Sequence, residues 1–139
     1  MTIKHKILLN YIKDLSVETP DAESLIAARE NISKYYLKLD LKSKTLKNKM
    51  IEVYTKLTYE DKINKKKTHF EMIYSTVVRI EEEKPNPEEI EKFILCDLQI
   101  QIYPQIEKSF LEILKLSGFS ALQLNRKIDF NKLYNKRKD

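Results

Sequence analysis

Apolar and polar residues alternate with period two along four stretches of the chain, and each alternation predicts a strand. In "YIKDLSVETPDA", Tyr11, Leu15 and Val17 fall on one face, Asp14, Ser16 and Glu18 on the other, and Pro20 ends the run. At a rise of roughly 3.3 Å per residue, such a strand turns Leu15 and Val17 to the core. It holds Asp14 and Glu18 about 13 Å apart on the exposed face. "YYLKLDLKSK" sets Leu37, Leu39 and Leu41 against Lys38, Asp40 and Lys42. "MIEVYTKLTYE" alternates Ile51, Val53, Thr55, Leu57 and Tyr59 with Glu52, Tyr54, Lys56 and Thr58. "THFEMIYSTVVRIEE" gathers Phe70, Met72, Tyr74, Thr76, Val78 and Ile80 on one face, and its other face, from His69 through Glu71 and Ile73 to Arg79, is mixed. A partly apolar outer face is a candidate for binding or assembly. "DKINKKK", at 61–67, reads as a polar turn. Between the first two strands, Thr19 can cap, Pro20 suits a first helical position, and Leu25, Ile26 and Ile32 sit at helical spacings. Both a short helix and an irregular crossover fit there.

The pattern then changes to a helical one. Asn86 is a cap, Pro87 suits the first helical position, and Glu88 and Glu89 fall in the first turn, where the helix dipole favours negative charge. The helix runs on through Ile90, Phe93 and Ile94 to about Leu116. Pro104 should kink it, and Gly118, the only glycine, stands where a C-terminal cap is wanted. Asp129 caps a final short helix from Phe130 to about Arg137. Strands first and helices after predict one α+β domain over 1–139: an antiparallel sheet, then a long kinked helix and a short C-terminal helix, packed on one sheet face. The long helix is apolar almost all round, from Phe93 through Leu98, Ile100, Ile106 and Phe110 to Leu116. A helix apolar on most faces is buried on most faces, so a second copy of the chain is the simplest second cover.

Composition mainly removes possibilities. The 139 residues carry a net charge of +5, which favours anionic partners and says nothing of fold. One glycine leaves no phosphate loop and no dinucleotide fingerprint. His5, His69 and the single Cys96 have no zinc-site spacing, and Cys96, within the apolar helix, reads as an inert buried thiol. Asp14 and Glu18 are too far apart on a strand for retaining glycoside chemistry, which needs about 5 Å. No catalytic constellation and no cofactor site is legible. The chain has no apolar run of about 18 residues, and the start, "MTIKHKILLNYIKD", is too polar for a signal peptide. A cytoplasmic protein without membrane insertion is the expectation. The basic runs at 42–49, 61–67 and 126–139, with eight tyrosines, make a nucleic-acid surface conceivable. They fall in turns and at the end of the chain rather than on one stripe, which favours solvated lysines.

Several segments together resemble the bacterial protein-export chaperone SecB family. "YIKDLSVETPDA" is similar to that family's first strand, Tyr-x-Lys-Asp-(Ile/Leu)-Ser-x-Glu-x-Pro-(Asn/Asp)-Ala. "KLDL" at 38–41, "IEVYTKLT" at 51–58, the Tyr103-Pro104 step, Gly118-Phe119, "LQL" and "IDFNKLY" resemble later segments in the right order. The resemblance implies a four-stranded antiparallel sheet and a homotetramer, a dimer of dimers with the long helices in the middle. It implies a chaperone that holds unfolded preproteins in hydrophobic grooves, without ATP, cofactor or catalysis, and delivers them to the motor SecA. It places SecA docking on Asp14, Glu18 and the fourth-strand Glu71. Groove-wall candidates are the aromatics Tyr54, Tyr59, Phe70, Tyr74 and Phe119. The chain departs from the family pattern in its positive charge, in His69 at a usually aliphatic position, in Leu98-Gln99 for a Cys-Pro pair, and in "SALQLNRK" after the glycine. Those departures leave room for another recipient, such as a toxin–antitoxin system.

Overall fold

The computed structural model describes residues 3–31, 35–61, 68–119 and 128–138. The polar turn expected at 61–67, the helical position of Ile32 and the "LQL" segment lie outside them, Asp61 excepted. Four strands form one antiparallel sheet: β1 (His5–Glu18), β2 (Tyr35–Thr45), β3 (Met50–Asp61) and β4 (His69–Ile80), in the order β1-β4-β3-β2. Helix α1 (Ala22–Glu30) crosses between β1 and β2, and the helices α2 (Pro87–Lys92), α3 (Leu98–Leu116) and α4 (Phe130–Lys138) follow the sheet. The α+β architecture is the one the strand and helix periods predict. Among the described residues, no helix is long and apolar enough to cross a membrane.

The core lies between one sheet face and the helices. Phe70, Met72, Tyr74, Val78 and Ile80 of β4 and Ile51, Val53, Leu57 and Tyr59 of β3 are buried there with Phe93, Leu98, Ile106, Phe110 and Leu114. The β2–β3 turn closes with Asn48 and Lys49 both at positive φ, 58° and 62°, and the Met50 N–H donates to the Lys47 carbonyl at 3.2 Å. Two left-handed central residues match the strand twist of a two-residue hairpin.

β1 corrects the sequence reading in one respect. Tyr11 was expected to share a face with Leu15 and Val17. The register against β4 shifts between Ile12 and Asp14, so Lys13 is an extra, bulged residue. One extra residue reverses the alternation. Leu15 and Val17 pair with the buried Met72 and Phe70, whereas Tyr11 pairs with Ser75 on the opposite, outer face. Leu15 and Val17 remain 41% and 37% exposed, because β1 is an edge strand with no further strand beyond it among the described residues.

α1 is a helix, and its cap is Asp21, not Thr19: the Asp21 carboxylate accepts from the Ser24 N–H at 2.7 Å. The residue directly before the first turn is the one whose side chain reaches the free N–H groups. Asn86 caps α2 as expected, accepting from the Glu88 N–H at 2.9 Å, with Pro87 in the first helical position. A π-helical turn at Phe93–Asp97 joins α2 to α3, a wider turn that the apolar pattern does not announce. α3 runs on through Pro104. After the last turn, Gly118 takes φ +107°, Phe119 N–H donates to the Leu114 carbonyl at 3.0 Å and Gly118 N–H to that of Lys115 at 3.3 Å. That pairing of 6→1 and 5→2 bonds requires a left-handed residue at this position, and a Cβ there would stand 3.0 Å from Leu25.

The long helix is better covered by its own chain than its composition predicts. Phe93, Ile94, Cys96, Leu98, Ile102, Tyr103, Ile106, Phe110 and Leu114 are buried within one chain, in a core they share with the sheet and α4. The apolar residues left open on α3 are chiefly Ile100, 52% exposed, and Leu116, 82% exposed. Exposed apolar surface concentrates instead along β1, at Leu8, Leu9, Ile12, Leu15 and Val17.

Candidate functional site

Two surfaces meet the requirements of a binding protein: a groove at the β2 edge and the outer face of the sheet. β2 is the second edge strand, and α4 lies beside it. Asp129 starts α4 by accepting from the Lys132 N–H at 3.1 Å. Phe130 anchors the helix, 4% exposed and edge-on to Tyr103 at 5.4 Å between ring centroids. The Cys96 thiol donates to the Asn131 side-chain oxygen at 2.9 Å, a second tie between α4 and the π-helical turn. Burial pushes that thiol up from its ordinary pKa, which favours the neutral thiol that donates to Asn131. Between the helix so held and the strand runs a cavity of about 630 Å³. Leu37 and Leu39 line it from β2, and Ile128 and Leu133 from α4 and the residues before it. Leu133 is 47% exposed, so apolar surface is presented to solvent inside a concave site. Such sites bind apolar side chains without reading sequence.

The outer sheet face is polar and of both signs. Asp14 lies opposite Ile73, Glu18 opposite His69 and Glu71 opposite Ser16, so the three expected docking carboxylates share this face at one end of β1 and β4. Asp14 and Glu18 are exposed. Glu71 is half-buried, pairing with Lys56 at 3.0 Å and with His69 Nε2 at 3.4 Å. Lys56, and after it His69, hold its carboxyl below the usual carboxylate range. His69 Nδ1 also meets Glu60 at 2.9 Å, so the histidine that departs from the family pattern ties two acidic side chains together. Next to this cluster Lys13, Lys42 and Lys56 surround a small cavity with Tyr54 and Asp40. The bulge delivers Lys13 here, its ammonium 4.1 Å from the Tyr54 ring centroid. Carboxylates interrupt these lysines, so among the described residues this face offers no continuous cationic track for a phosphate backbone.

Behind these side chains sits Glu52, 9% exposed. Its carboxylate accepts from the Ser75 hydroxyl at 2.6 Å, from the Tyr11 hydroxyl, and from the Tyr54 hydroxyl at 2.8 Å. Those hydroxyl donors, Ser75 first, lower its pKa to about 2 against the opposing effect of burial. In sequence Glu52 was one polar residue of an alternating strand. Nothing separates a buried, triply bonded glutamate from a solvated one until the neighbouring strands are in place.

Of the aromatic groove candidates, Tyr59, Phe70, Tyr74 and Phe119 are core residues in the protomer, 5%, 0%, 7% and 6% exposed. Tyr59 and Phe119 flank Phe70 with ring centroids 6.4 Å and 5.3 Å away. Tyr54 is half-buried on the outer face, across the sheet from that cluster. The residues lining the β2–α4 groove were not singled out in the sequence. The available signal was the apolar spacing Ile128, Phe130, Leu133 and Tyr134; what it lacked was the knowledge that β2 is an edge.

Comparison with known proteins follows the same lines. A family model described as "Preprotein translocase subunit SecB" matches residues 2–139. A curated protein of Pelagibacter ubique (strain HTCC1062), described as "Putative protein-export protein SecB", is 45% identical over 138 residues, covering 99% of each chain. Among solved structures, a SecB-like chaperone of Mycobacterium tuberculosis, in complex with a peptide from an antitoxin, superposes with a TM-score of 0.60. That match covers 88% of this chain and 90% of the other at 10% identity, a likeness of fold.

Proposed function

The chain belongs to the SecB family, and from that premise we propose that it is an ATP-independent chaperone that holds unfolded preproteins and passes them to the SecA motor. The single observation that carries the holding function is the open apolar groove between β2 and α4, with Leu39 and Leu133 on its walls. Unfolded chains expose apolar side chains, and a concave apolar surface withdraws them from water at roughly 25 cal/mol per Å². Extended clients longer than one groove gain from several grooves on one assembly, so oligomerisation adds avidity. The open apolar residues of β1 and Ile100 and Leu116 of α3 support self-association, and a cytoplasmic homotetramer, a dimer of dimers, is the proposed assembly.

The test is suppression of aggregation. A reduced, unfolded substrate diluted into buffer scatters light; with the chain present at equal subunit concentration, scattering should fall by more than half. Leu133→Glu, and Leu39→Glu with Leu133→Glu, should lose most of that effect while far-UV circular dichroism is retained. A wild-type chain that is monomeric by light scattering and leaves aggregation unchanged sinks the proposal.

Hand-off to SecA is assigned to Asp14, Glu18 and Glu71. Their common position on the outer face, away from the groove floor, supports a surface that is open while a client is held. Asp14→Lys with Glu18→Lys should weaken SecA binding at least about tenfold, since each reversal turns an attraction into a repulsion. Client binding should be spared. Loss of both activities, or of neither, by surface plasmon resonance counts against this assignment.

A further inference from the structure

The groove carries a charge pattern that an apolar floor does not require. Lys38 at the β2 edge and Lys132 and Lys136 on α4 line the same cavity as the leucines. Among the described residues none of the three is in an ion pair. The carboxylate that lines the cavity with them, Asp129, accepts the Lys132 backbone N–H as the α4 cap and so is already engaged. Lysine stems lie along apolar surface and leave their ammonium groups at the rim. The result is a greasy trough edged with positive charge.

We infer that this groove selects client segments whose apolar side chains alternate with Asp or Glu. The inference rests on the client-groove reading above and narrows it to a class of client. The spacing supports it. Lys132 and Lys136 are four residues apart on a helix, about 6 Å along its axis. Alternate side chains of an extended peptide are spaced by two rises of roughly 3.3 Å, close to 7 Å. A client lying along α4 therefore presents carboxylates at every second residue to the two ammonium groups, and its intervening apolar side chains to the trough. A segment with lysine at those positions meets like charge. A nucleic-acid strand satisfies the rim but leaves the leucine walls uncovered.

Three fluorescein-labelled ten-residue peptides test this, each with leucine at alternate positions and Glu, Ser or Lys between. By fluorescence anisotropy at about 20 mM salt, the Glu peptide should bind about tenfold tighter than the Ser peptide, and the Lys peptide weaker than both. At about 0.5 M salt the three should converge, because exposed pairs are screened. Lys132→Gln with Lys136→Gln should bring the Glu-to-Ser ratio near one. Lys92→Gln with Lys108→Gln removes the same charge elsewhere and should leave the ratio near ten. If the Ser peptide binds and the three affinities are equal at low salt, the selectivity is wrong and the groove reading stands. If the preference survives Lys132→Gln with Lys136→Gln, the carboxylates bind elsewhere and the inference falls. If no peptide binds, the inference and the client-groove reading fall together.

Discussion

Phe70→Ala is expected to cost about 3–5 kcal/mol of folding stability, the range for deleting a fully buried aromatic ring whose cavity cannot collapse. The ring is 0% exposed. It stands at the centre of a contact running from Tyr35 through Tyr59, 5.4 Å apart, to Phe70, and edge-on from Phe70 to Phe119 at 5.3 Å. Phe119 follows the glycine that ends α3, so this one side chain joins the sheet to the end of the long helix. Strand neighbours, a helix end and an edge strand would all have to move together to fill the space, and two of them are held by ladders of backbone hydrogen bonds. Domains of this size have about 5–15 kcal/mol in total, so the variant should lie near its unfolding threshold at 37 °C. Urea denaturation by circular dichroism, at one fixed protein concentration because self-association adds to apparent stability, reads the loss directly. A loss below about 1 kcal/mol, combined with weaker peptide binding, would return Phe70 to the groove wall where its aromatic character alone first placed it.

That contrast shows which features were legible in the chain and which were not. Strand and helix identity follow from local periods, and β2, β3, β4, the α2 cap at Asn86 and the α4 cap at Asp129 all came from residues close together in sequence. The bulge at Lys13 was hidden, because a run such as Tyr11 to Val17 alternates acceptably in either phase when only a few positions are apolar. A register shift is decided by the partner strand, and the partner is far away in the chain. The covering of α3 was hidden for the same reason. An all-round apolar helix says that most faces are buried, and it does not say by what; here α4 supplies part of the cover that a second subunit was expected to supply. Aromatic residues were the least informative signal. Tyr59, Phe70 and Tyr74 have the same alternation whether their face meets a helix or a client, and only the layer packed above them decides. The placement of Asp14 and Glu18 was the opposite case: they sit on the polar face of a stretch that begins after the bulge, so their alternation survives it intact.

Replacing Glu52 should have the other large effect, and its sign depends on pH. Three hydroxyls from three strands, Tyr11 of β1, Tyr54 of β3 and Ser75 of β4, converge on this carboxylate. Its pKa of about 2 in the folded chain lies below the ordinary value of 4.5. Between those two values the unfolded chain binds the proton and the folded chain does not. The stabilisation is therefore fully present above about pH 4.5 and is lost as pH falls through about 2. The whole shift would correspond to about 3 kcal/mol, and screening on a solvent-facing sheet surface reduces it to about 1–2 kcal/mol. Glu52→Gln should lose about that much at pH 7 and should lie level with wild type near pH 2, so the part of the wild-type acid limb that Glu52 contributes disappears in the variant. Glu52→Leu should cost more, about 2–3 kcal/mol, because it also leaves the buried Ser75 hydroxyl with no acceptor. Urea midpoints measured from pH 7 to pH 2 separate the two cases; parallel curves for wild type and Glu52→Gln would remove the carboxylate from this role. The consequence for binding is local. The Tyr11 hydroxyl is one side-chain tie, beside Lys13 on the Tyr54 ring, that holds β1 to β3 across β4 just before the bulge, and Asp14 comes just after it. Glu52→Leu should therefore loosen the outer edge that carries Asp14 and weaken the proposed SecA binding without altering any of the proposed docking side chains, while the groove on the far edge of the sheet keeps its peptide affinity.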